Sequence, residues 1–323
     1  MELRDGMGRR MDYLRLSVTD RCNHRCVYCM PEEGVELFPH DKLLRLEELA
    51  SLVERFVRLF EFRKVRLTGG EPLLRRNIEG LVEMLAAIPG LADTSMTTNG
   101  AVLAPMARAL FSAGLRRINV SLDSLDPGRF REVTSGGNLH AVLDGLAAAR
   151  DAGFSPIKVN TVLLPGFDEE IQFIEWANRE GYLLRFIELM PHFQNRDWRI
   201  TSEGPKGADV LENVRRAYDV VEDVKSLEGE RGTHVRRYRI PDAGWIFEII
   251  PGVSVPFCGE CNRLRIDCQG QARFCLYSRS TLQLAPLLSA PDDRFADAIQ
   301  EFVLQKTERM LDHIGSNMFA IGG

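Results

Sequence analysis

The sequence lacks long hydrophobic runs and has no excess of positive charge. No apolar stretch approaches the roughly 20 residues that a membrane-spanning helix needs, and residues 1–12 are too polar to contain the hydrophobic segment of a secretion signal. The formal net charge of −5 provides no global field that would attract nucleic acid or an anionic membrane surface. We therefore expect a cytoplasmic protein that binds neither, and any polyanionic ligand would need a local cluster of cations.

Cysteine is also missing from most of the chain: none lies between Cys29 and Cys258. The cysteines form two groups, Cys22, Cys26 and Cys29 followed by Cys258, Cys261, Cys268 and Cys275. In a reducing compartment, clustered cysteines are more often metal ligands or catalytic groups than disulfide partners. Both groups are therefore candidate metal sites.

Over the first two thirds of the chain, short β-branched runs alternate with helical patterns. The predicted strands cover residues 14–19, 64–68, 93–98, 117–122, 157–163 and 183–190. The predicted helices cover residues 46–60, 77–87, 104–113, 139–152 and 169–180. This alternation predicts βαβ units with a parallel sheet. Six units fit an incomplete (β/α)6 barrel of the TIM type better than an eightfold one, and an open doubly wound sheet is the alternative.

The pattern changes after Pro191. A polar connection over residues 191–207 leads to a predicted helix at 209–217, strands with an antiparallel pattern at 218–224, 233–240 and 245–251, and a closing helix at 292–313. We therefore expect a barrel over residues 1–208 and, over residues 209–323, a C-terminal extension of antiparallel strands and helices that carries the second cysteine group.

The first cysteine group has the spacing Cys22-x-x-x-Cys26-x-x-Cys29 and follows the first predicted strand, at the sheet edge where α/β proteins place their active sites. Three thiolates can hold three irons of a [4Fe–4S] cluster and leave the fourth iron open to a ligand. The alternative is a zinc site completed by His24 or a more distant group. Tyr28, directly before the third cysteine, makes this segment similar to the signature of radical S-adenosylmethionine enzymes.

The second predicted strand ends in another motif, Thr68-Gly69-Gly70-Glu71-Pro72. A tight strand-to-helix turn is one explanation. The other is that backbone without side chains lets the amino group of a ligand meet exposed carbonyl groups at the sheet edge. Gly-Gly-Glu-Pro at this place resembles the aminoacyl-binding motif of the same enzymes.

Strand parity places cations on the inner face of the predicted barrel, because side chains alternate along a strand. The inward set is Arg15, Lys64, Arg66 and Lys158, with Arg185 as a further candidate. Burying unpaired cations is costly. They either pair with internal acids such as Asp123 and Glu188 or line a polar cavity that binds a polyanion, and we favour the cavity.

The second cysteine group again offers three well-spaced ligands, Cys258, Cys261 and Cys275. Arg263 and Arg265 follow Cys261 closely and place positive charge beside the site, which suits an anionic ligand. The alternative is a structural zinc site with Cys268 as the fourth ligand. Cys268 lies in a predicted strand and equally fits an ordinary small buried residue.

Together these motifs resemble the GTP 3′,8-cyclases of molybdenum-cofactor biosynthesis over nearly the whole chain. The shared segments are residues 14–22, 68–73, 97–100, 116–123, 185–188 and 258–265, with the terminal Gly322-Gly323 pair. The resemblance implies an incomplete (β/α)6 barrel and two [4Fe–4S] clusters, held by Cys22, Cys26 and Cys29 and by Cys258, Cys261 and Cys275. Cys268 falls outside the family's ligand pattern, and residues 191–207 have least in common with the family.

The resemblance also implies a reaction. S-adenosylmethionine would be cleaved reductively at the first cluster, after which the 5′-deoxyadenosyl radical abstracts the C3′ hydrogen of GTP and C3′ attacks C8 of guanine. The positions that match cofactor contacts are Tyr28, Gly70, Ser121 and Met190. The positions that match substrate contacts are Arg15, Arg66, Thr97, Lys158, Arg263 and Arg265, to which strand parity adds Lys64 and Arg185. The open iron of the second cluster would meet the guanine base, and the di-glycine end would reach into the active site.

Further implications concern partners. The resemblance implies a reducing electron-donor protein, a homodimer and a downstream enzyme that takes the cyclised nucleotide. Two other functions stay open at this stage: a peptide-modifying radical enzyme with auxiliary clusters, and a zinc-stabilised binding protein without catalytic activity.

Overall fold

The computed structural model describes residues 1–31, 34–190, 204–223, 235–276, 278 and 280–306. Within them the strands are β1 Tyr13–Ser17, β2 Lys64–Thr68, β3 Asp93–Thr98, β4 Arg117–Ser121, β5 Ile157–Leu163, β6 Leu183–Glu188, β7 Val221–Glu222, β8 Arg236–Ile240, β9 Trp245–Ile250, β10 Arg263–Ile266, β11 Gln271–Arg273 and β12 Leu282–Gln283. The α-helices are α1 Leu46–Phe60, α2 Ile78–Ala86, α3 Ala107–Ser112, α4 Pro127–Val133, α5 Leu139–Ala152, α6 Glu170–Glu180, α7 Gly207–Ala217 and α8 Asp292–Leu304.

The described strands form one sheet in the order β12-β11-β10-β1-β2-β3-β4-β5-β6-β9-β8-β7. Strands β1 to β6 are parallel and follow chain order. A doubly wound sheet reverses its strand order at a switch point, and no reversal occurs between β1 and β6. The expected incomplete (β/α)6 barrel is therefore confirmed, and the doubly wound alternative is wrong.

The extension adds strands to both edges of the barrel sheet. β7, β8 and β9 pair antiparallel with one another, as do β10, β11 and β12. However, β9 runs parallel to β6 and β10 runs parallel to β1. The antiparallel strands expected in the extension are confirmed, whereas the sequence did not predict that β9 and β10 join the barrel strands in parallel. At β9 this follows because α7 returns the chain to the amino edge of the sheet before β7 begins.

The hydrophobic core lies between the sheet and the helices on its outer face. Leu14 and Leu16 of β1 are fully buried there together with Phe56 of α1, while Arg15, between the two leucines, lines the inner face. Full burial of such a side chain contributes about 1.5–3 kcal/mol to folding. Apolar packing outside thus fixes which residues face inward.

Most element bounds agree with the sequence-based expectations, and α1 and α5 match to the residue. The helix expected at 104–113 begins only at Ala107, the strand expected at 218–224 is limited to Val221–Glu222, and helix α4 was not predicted. Residues 307–313 of the closing helix, most of the 191–207 connection and the Gly322-Gly323 pair lie outside the described residues. The division after residue 208 stays a prediction.

None of the helices in the described part of the chain has the length and apolar character needed to cross a membrane.

Candidate active site

One cavity of about 460 Å³ lies on the inner face of the sheet. The residues that the sequence assigned to the two triads, the cofactor and the triphosphate all line it. These are Arg15, Cys22, Cys26, Tyr28, Cys29, Lys64, Arg66, Gly70, Thr97, Ser121, Lys158, Arg185, Met190, Cys258, Cys261, Arg263, Arg265 and Cys275. The structure therefore brings both cysteine triads and the inward cations around one space.

The two triads lie at opposite ends of that cavity. The first follows β1, beyond Ser17, whereas Cys261 directly precedes the start of β10. Because Arg263 is in register with Tyr13 at the start of β1, the length of β1 separates the two levels. Four steps along a strand correspond to roughly 13 Å.

The loop of the first triad is fixed by its own backbone and by the end of α4. The amide N–H groups of Cys29 and Met30 donate to the carbonyl oxygen of Cys26 at 2.9 and 3.0 Å, which forms a tight turn between the second and third cysteines. The amide N–H of Val27 donates to the carbonyl oxygen of Val133 at 2.9 Å. The loop thus holds three half-buried thiols on one wall of the cavity.

Gly69 and Gly70 hold this loop from the β2 side. The amide N–H of Gly70 donates to the carbonyl oxygen of Thr19 at 2.9 Å, and that of Glu71 donates to the carbonyl oxygen of Arg21 at 2.7 Å. A Cβ on Gly69 would lie 2.6 Å from the Thr19 oxygen, and one on Gly70 would clash with the backbone of Arg21. The glycines are required by this close approach of two backbones beside Cys22, while their contact with a ligand stays a prediction.

Two buried carboxyl groups lie near the first triad. Tyr28 donates its hydroxyl hydrogen to Asp123 at 2.8 Å, and burial raises the pKa of Asp123 to about 6. Glu71 accepts hydrogen bonds from the Thr98 hydroxyl and the Asn99 amide N–H at 2.6 and 2.7 Å, and burial raises its pKa to about 7. Burial also raises the pKa of Cys29 to about 12. This end of the cavity carries no compensating cation among these groups and suits a positively charged ligand.

The cations form a ladder across neighbouring strands. Arg15 is in register with Arg66 on one side and with Arg265 on the other. Adjacent parallel strands lie about 4.8 Å apart, so three guanidinium groups share one level of the cavity. Burial and the neighbouring Arg265 hold the pKa of Arg15 well below its ordinary value. Like charges in such register destabilise a sheet, so this arrangement indicates an anionic ligand.

Arg185 fits both explanations considered for the inward cations, because it lines the cavity and is paired with a buried acid. Its guanidinium contacts the Glu248 carboxylate of β9, with Nε–Oε2 at 2.9 Å, and Arg237 of β8 contacts the other oxygen of the same carboxylate. The acid that pairs with Arg185 is Glu248 and is neither of the two acids, Asp123 and Glu188, named as examples in the less favoured alternative. Glu248 was missed because its strand was not expected to join the barrel in parallel beside β6.

The two acids named in that alternative have other partners. Asp123 accepts from Tyr28 and from the amide N–H of Val162 at 2.9 Å. Glu188 accepts from the amide N–H of Gly207 at 2.9 Å and from that of Ser254 at 2.7 Å, so it anchors the start of α7 and the segment before the second triad.

The second triad is surrounded by cations that sequence reasoning missed. Lys306 places its Nζ 3.4 Å from Cys261 Sγ, and Arg9 donates to the carbonyl oxygen of Cys258. Although burial raises the pKa of Cys261, Lys306 and Arg263 lower it below its ordinary value. Both missed residues line the cavity. No motif marks them, because they lie far from the cysteines in the chain.

Cys268 lies outside the cavity lining. It is 1% exposed, its carbonyl oxygen accepts from the amide N–H of Leu44 at 2.8 Å, and burial raises its pKa to about 12. These contacts fit an ordinary buried residue and not a fourth ligand of the second triad.

Both triads fit an iron–sulfur cluster by the chemistry of their donors. Each offers three thiols, the soft ligands that iron–sulfur clusters take. Buried thiolates need positive charge nearby, which bound iron supplies. In the described part of the chain, no group of three or more His, Cys, Asp and Glu side chains is arranged to hold a single metal ion.

Comparison with known proteins is consistent with this geometry. Residues 16–177 match the family model of the radical SAM superfamily, and residues 182–311 match the model described as Molybdenum Cofactor Synthesis C. A GTP 3′,8-cyclase of Pelotomaculum thermopropionicum is 42% identical over 95% of this chain and 94% of its own length. A GTP 3′,8-cyclase of Geobacter sulfurreducens is 41% identical over the full length of both chains.

Among solved structures, Streptococcus suis SuiB bound to S-adenosylmethionine superposes with a TM-score of 0.65 at 11% identity, covering 91% of this chain and 68% of SuiB. At that identity the likeness shows the shared fold alone.

Proposed function

The chain belongs to the GTP 3′,8-cyclase family of the radical SAM superfamily, and from this premise we propose that it converts GTP to (8S)-3′,8-cyclo-7,8-dihydroguanosine 5′-triphosphate, the first step of molybdenum-cofactor biosynthesis. The observation that carries the proposal is the arginine ladder of Arg15, Arg66 and Arg265, which lies in one cavity with both cysteine triads.

The first triad would hold the cluster that binds S-adenosylmethionine. Bound there, the cluster and S-adenosylmethionine would supply the radical chemistry that joins C3′ of GTP to C8 of its guanine base. Tyr28, Gly70, Ser121 and Met190 would contact the cofactor at this end of the cavity. The buried carboxyl groups of Glu71 and Asp123 favour its cationic sulfonium and ammonium groups.

The cation ladder would hold the triphosphate. Charge-assisted hydrogen bonds from guanidinium groups to phosphate oxygens are stronger than neutral ones, and Arg15, Arg66 and Arg265 present theirs at one level. Lys64, Thr97, Lys158 and Arg263 line the same space. Arg185 would act less directly, because it shares the Glu248 carboxylate with Arg237 and the three side chains together keep one net positive charge.

The second triad would hold a second [4Fe–4S] cluster whose open iron meets the guanine base. The position of Cys258, Cys261 and Cys275 beside Arg263 and Arg265 in the same cavity supports this assignment. Partners that the activity requires are a reducing electron-donor protein and a downstream enzyme that takes the cyclised nucleotide. A homodimer is part of the same proposal.

The test is turnover of GTP by the anaerobically reconstituted protein. We expect about eight irons per chain, reductive cleavage of S-adenosylmethionine, and a cyclised product detected by mass spectrometry that is absent when ATP replaces GTP. A protein with both clusters that cleaves the cofactor without consuming GTP would refute the substrate and reopen the peptide-modifying alternative. A colourless protein containing only zinc would refute the enzyme assignment.

A further inference from the structure

Lys306 is a buried cation that the proposed chemistry does not yet use. It is 3% exposed. Its Nζ lies 3.4 Å from Cys261 Sγ, 3.3 Å from the Cys261 carbonyl oxygen and 3.2 Å from the Arg263 carbonyl oxygen. A fourth contact reaches Met11 Sδ at 3.6 Å. In the described part of the chain, none of these hydrogen bonds goes to a carboxylate, although a buried ammonium group normally needs a compensating negative charge.

The position of Lys306 is fixed by an N-terminal segment that wraps around the second triad. We call residues 3–13 the N-terminal brace. A Cβ on Gly6 would clash with the carbonyl oxygen of Leu304, so the brace packs directly on the backbone before Lys306. Asp12 accepts from the Asn262 side-chain amide at 2.6 Å, and Arg9 donates to the carbonyl oxygen of Cys258.

The brace and the end of α8 therefore hold Lys306 against one particular thiol. Arg9 is itself bound to Asp5, with Nε–Oδ2 at 2.7 Å, so the brace also contributes an internal ion pair to this region. Lys306 in contrast directs its ammonium group at sulfur. Because Cys261 is one of the three thiols of the second triad, this contact places a cation within hydrogen-bond distance of a sulfur that would bind the cluster.

We propose that Lys306 is a positioning residue for the second cluster: its ammonium group donates a hydrogen bond to the Cys261 sulfur and makes the cluster easier to reduce. Hydrogen bonds to cluster sulfurs and nearby charge are among the factors that set the reduction potential. Lys306 also clamps the peptide from Cys261 to Arg263, and so joins the cluster to the substrate cations. The inference rests on the proposed second cluster.

The experiment compares the reduction potential of the second cluster in the holoenzyme, K306M, K306R and the control K42M. Lys42 is exposed and lies outside the cavity. The second cluster is identified by electron paramagnetic resonance as the signal that S-adenosylmethionine leaves unchanged. We expect K306M to lower the reduced-to-oxidised ratio at a fixed potential about tenfold, which is about 59 mV for one electron. K306R and K42M should stay near the parent.

Other outcomes are equally decisive. An unchanged potential and spectrum in K306M, with only a lower melting temperature, would overturn the proposal and leave Lys306 a packing residue. If K306M does not retain the second cluster, its iron content falls to about half, and K306R then becomes the test. Retention of the second cluster by K306R supports a role for the positive charge, whereas loss of the cluster from K306R as well overturns the proposal. A shifted potential in K306M combined with no GTP conversion by the parent would refute the substrate but not the role of Lys306. A parent with a single cluster would refute the second cluster itself.

Discussion

The two cysteine triads lie in opposite electrostatic surroundings within one cavity. Around the first, burial raises the pKa of Cys22, Cys26 and Cys29, and the carboxyl groups of Glu71 and Asp123 add to the rise. Around the second, Lys306 and Arg263 lower the pKa of Cys261. The two triads therefore have the same number of thiols but differ in the charge that surrounds them.

The difference teaches that the cavity is polarised along the strands. The end of the cavity at the C-terminal ends of the strands contains Glu71 and Asp123 and suits a cationic cofactor. The other end contains the arginine ladder and suits a polyanion. A charge pattern that attracts each ligand to its own end also disfavours exchange of the two ligands. Cofactor cleavage and substrate binding should consequently be separable by mutation.

The largest expected effect concerns the first triad. Replacing Cys22, Cys26 or Cys29 by Ala removes one of three ligands and should reduce S-adenosylmethionine cleavage to background, because the cluster is the source of the electron. The measurement is 5′-deoxyadenosine formation under reducing, anaerobic conditions. The matched control is C268A, which removes a buried thiol outside both triads and should retain cleavage and iron. Normal S-adenosylmethionine cleavage in these variants would show that the first triad does not hold the cluster that cleaves the cofactor.

A change in the second triad should instead uncouple the two activities. C258A or C261A leaves the first triad intact, so we expect residual formation of 5′-deoxyadenosine with loss of the cyclised nucleotide. Product and 5′-deoxyadenosine are quantified in the same reaction by mass spectrometry. If both fall together, the two ends of the cavity do not act separately, and the assignment of roles is wrong.

These two sites were predictable from the sequence because their chemistry is local. Three cysteines within eight residues define the first triad wherever the loop lies, and strand alternation alone places Arg15, Lys64, Arg66 and Lys158 inside. The order of β1 to β6 follows from the repeated βαβ pattern.

What could not be predicted depends on contacts between distant segments. Glu248 pairs with Arg185 because β9 lies next to β6 in the sheet, and no local pattern reveals that neighbour. Lys306 reaches Cys261 across 45 positions of sequence. Helix α4 is short, and its N-cap Asp126 followed by Pro127 was the available signal.

The third prediction tests the polyanion end of the cavity. Arg66 donates from Nε to the Ser95 hydroxyl at 3.2 Å and is in register with Arg15. R66M removes a charge-assisted hydrogen bond of about 1.5–3 kcal/mol, so we expect KM for GTP to rise about 10- to 100-fold. Binding of S-adenosylmethionine should be unchanged.

The control for that variant is R63M, because Arg63 is exposed and lies outside the cavity lining. It should leave both KM for GTP and cofactor binding as in the parent. An equal loss of cofactor and GTP affinity in R66M would show that the cavity is not polarised.

The smallest expected effect tests the acidic end through the pH dependence of stability. Burial raises the pKa of Glu71 from 4.5 to about 7. Below pH 4.5 the carboxyl is protonated in both the folded and the unfolded chain; above it, the unfolded chain ionises first. The free energy of unfolding of the metal-free parent should therefore fall, relative to that of E71Q, as the pH rises to about 7. One pKa unit corresponds to about 1.4 kcal/mol, so the difference should change by up to about 3 kcal/mol.

Urea unfolding of the metal-free chains at pH 4.5, 6 and 8 measures this difference, with E83Q as the control because Glu83 is an exposed carboxylate on α2. E83Q should follow the parent at every pH. If the free energies of unfolding of the parent and E71Q changed in parallel with pH, the pKa of Glu71 would be the same in the folded and the unfolded chain. The acidic end would then carry a full negative charge at pH 6, which would strengthen its contrast with the arginine ladder while refuting the desolvation of Glu71.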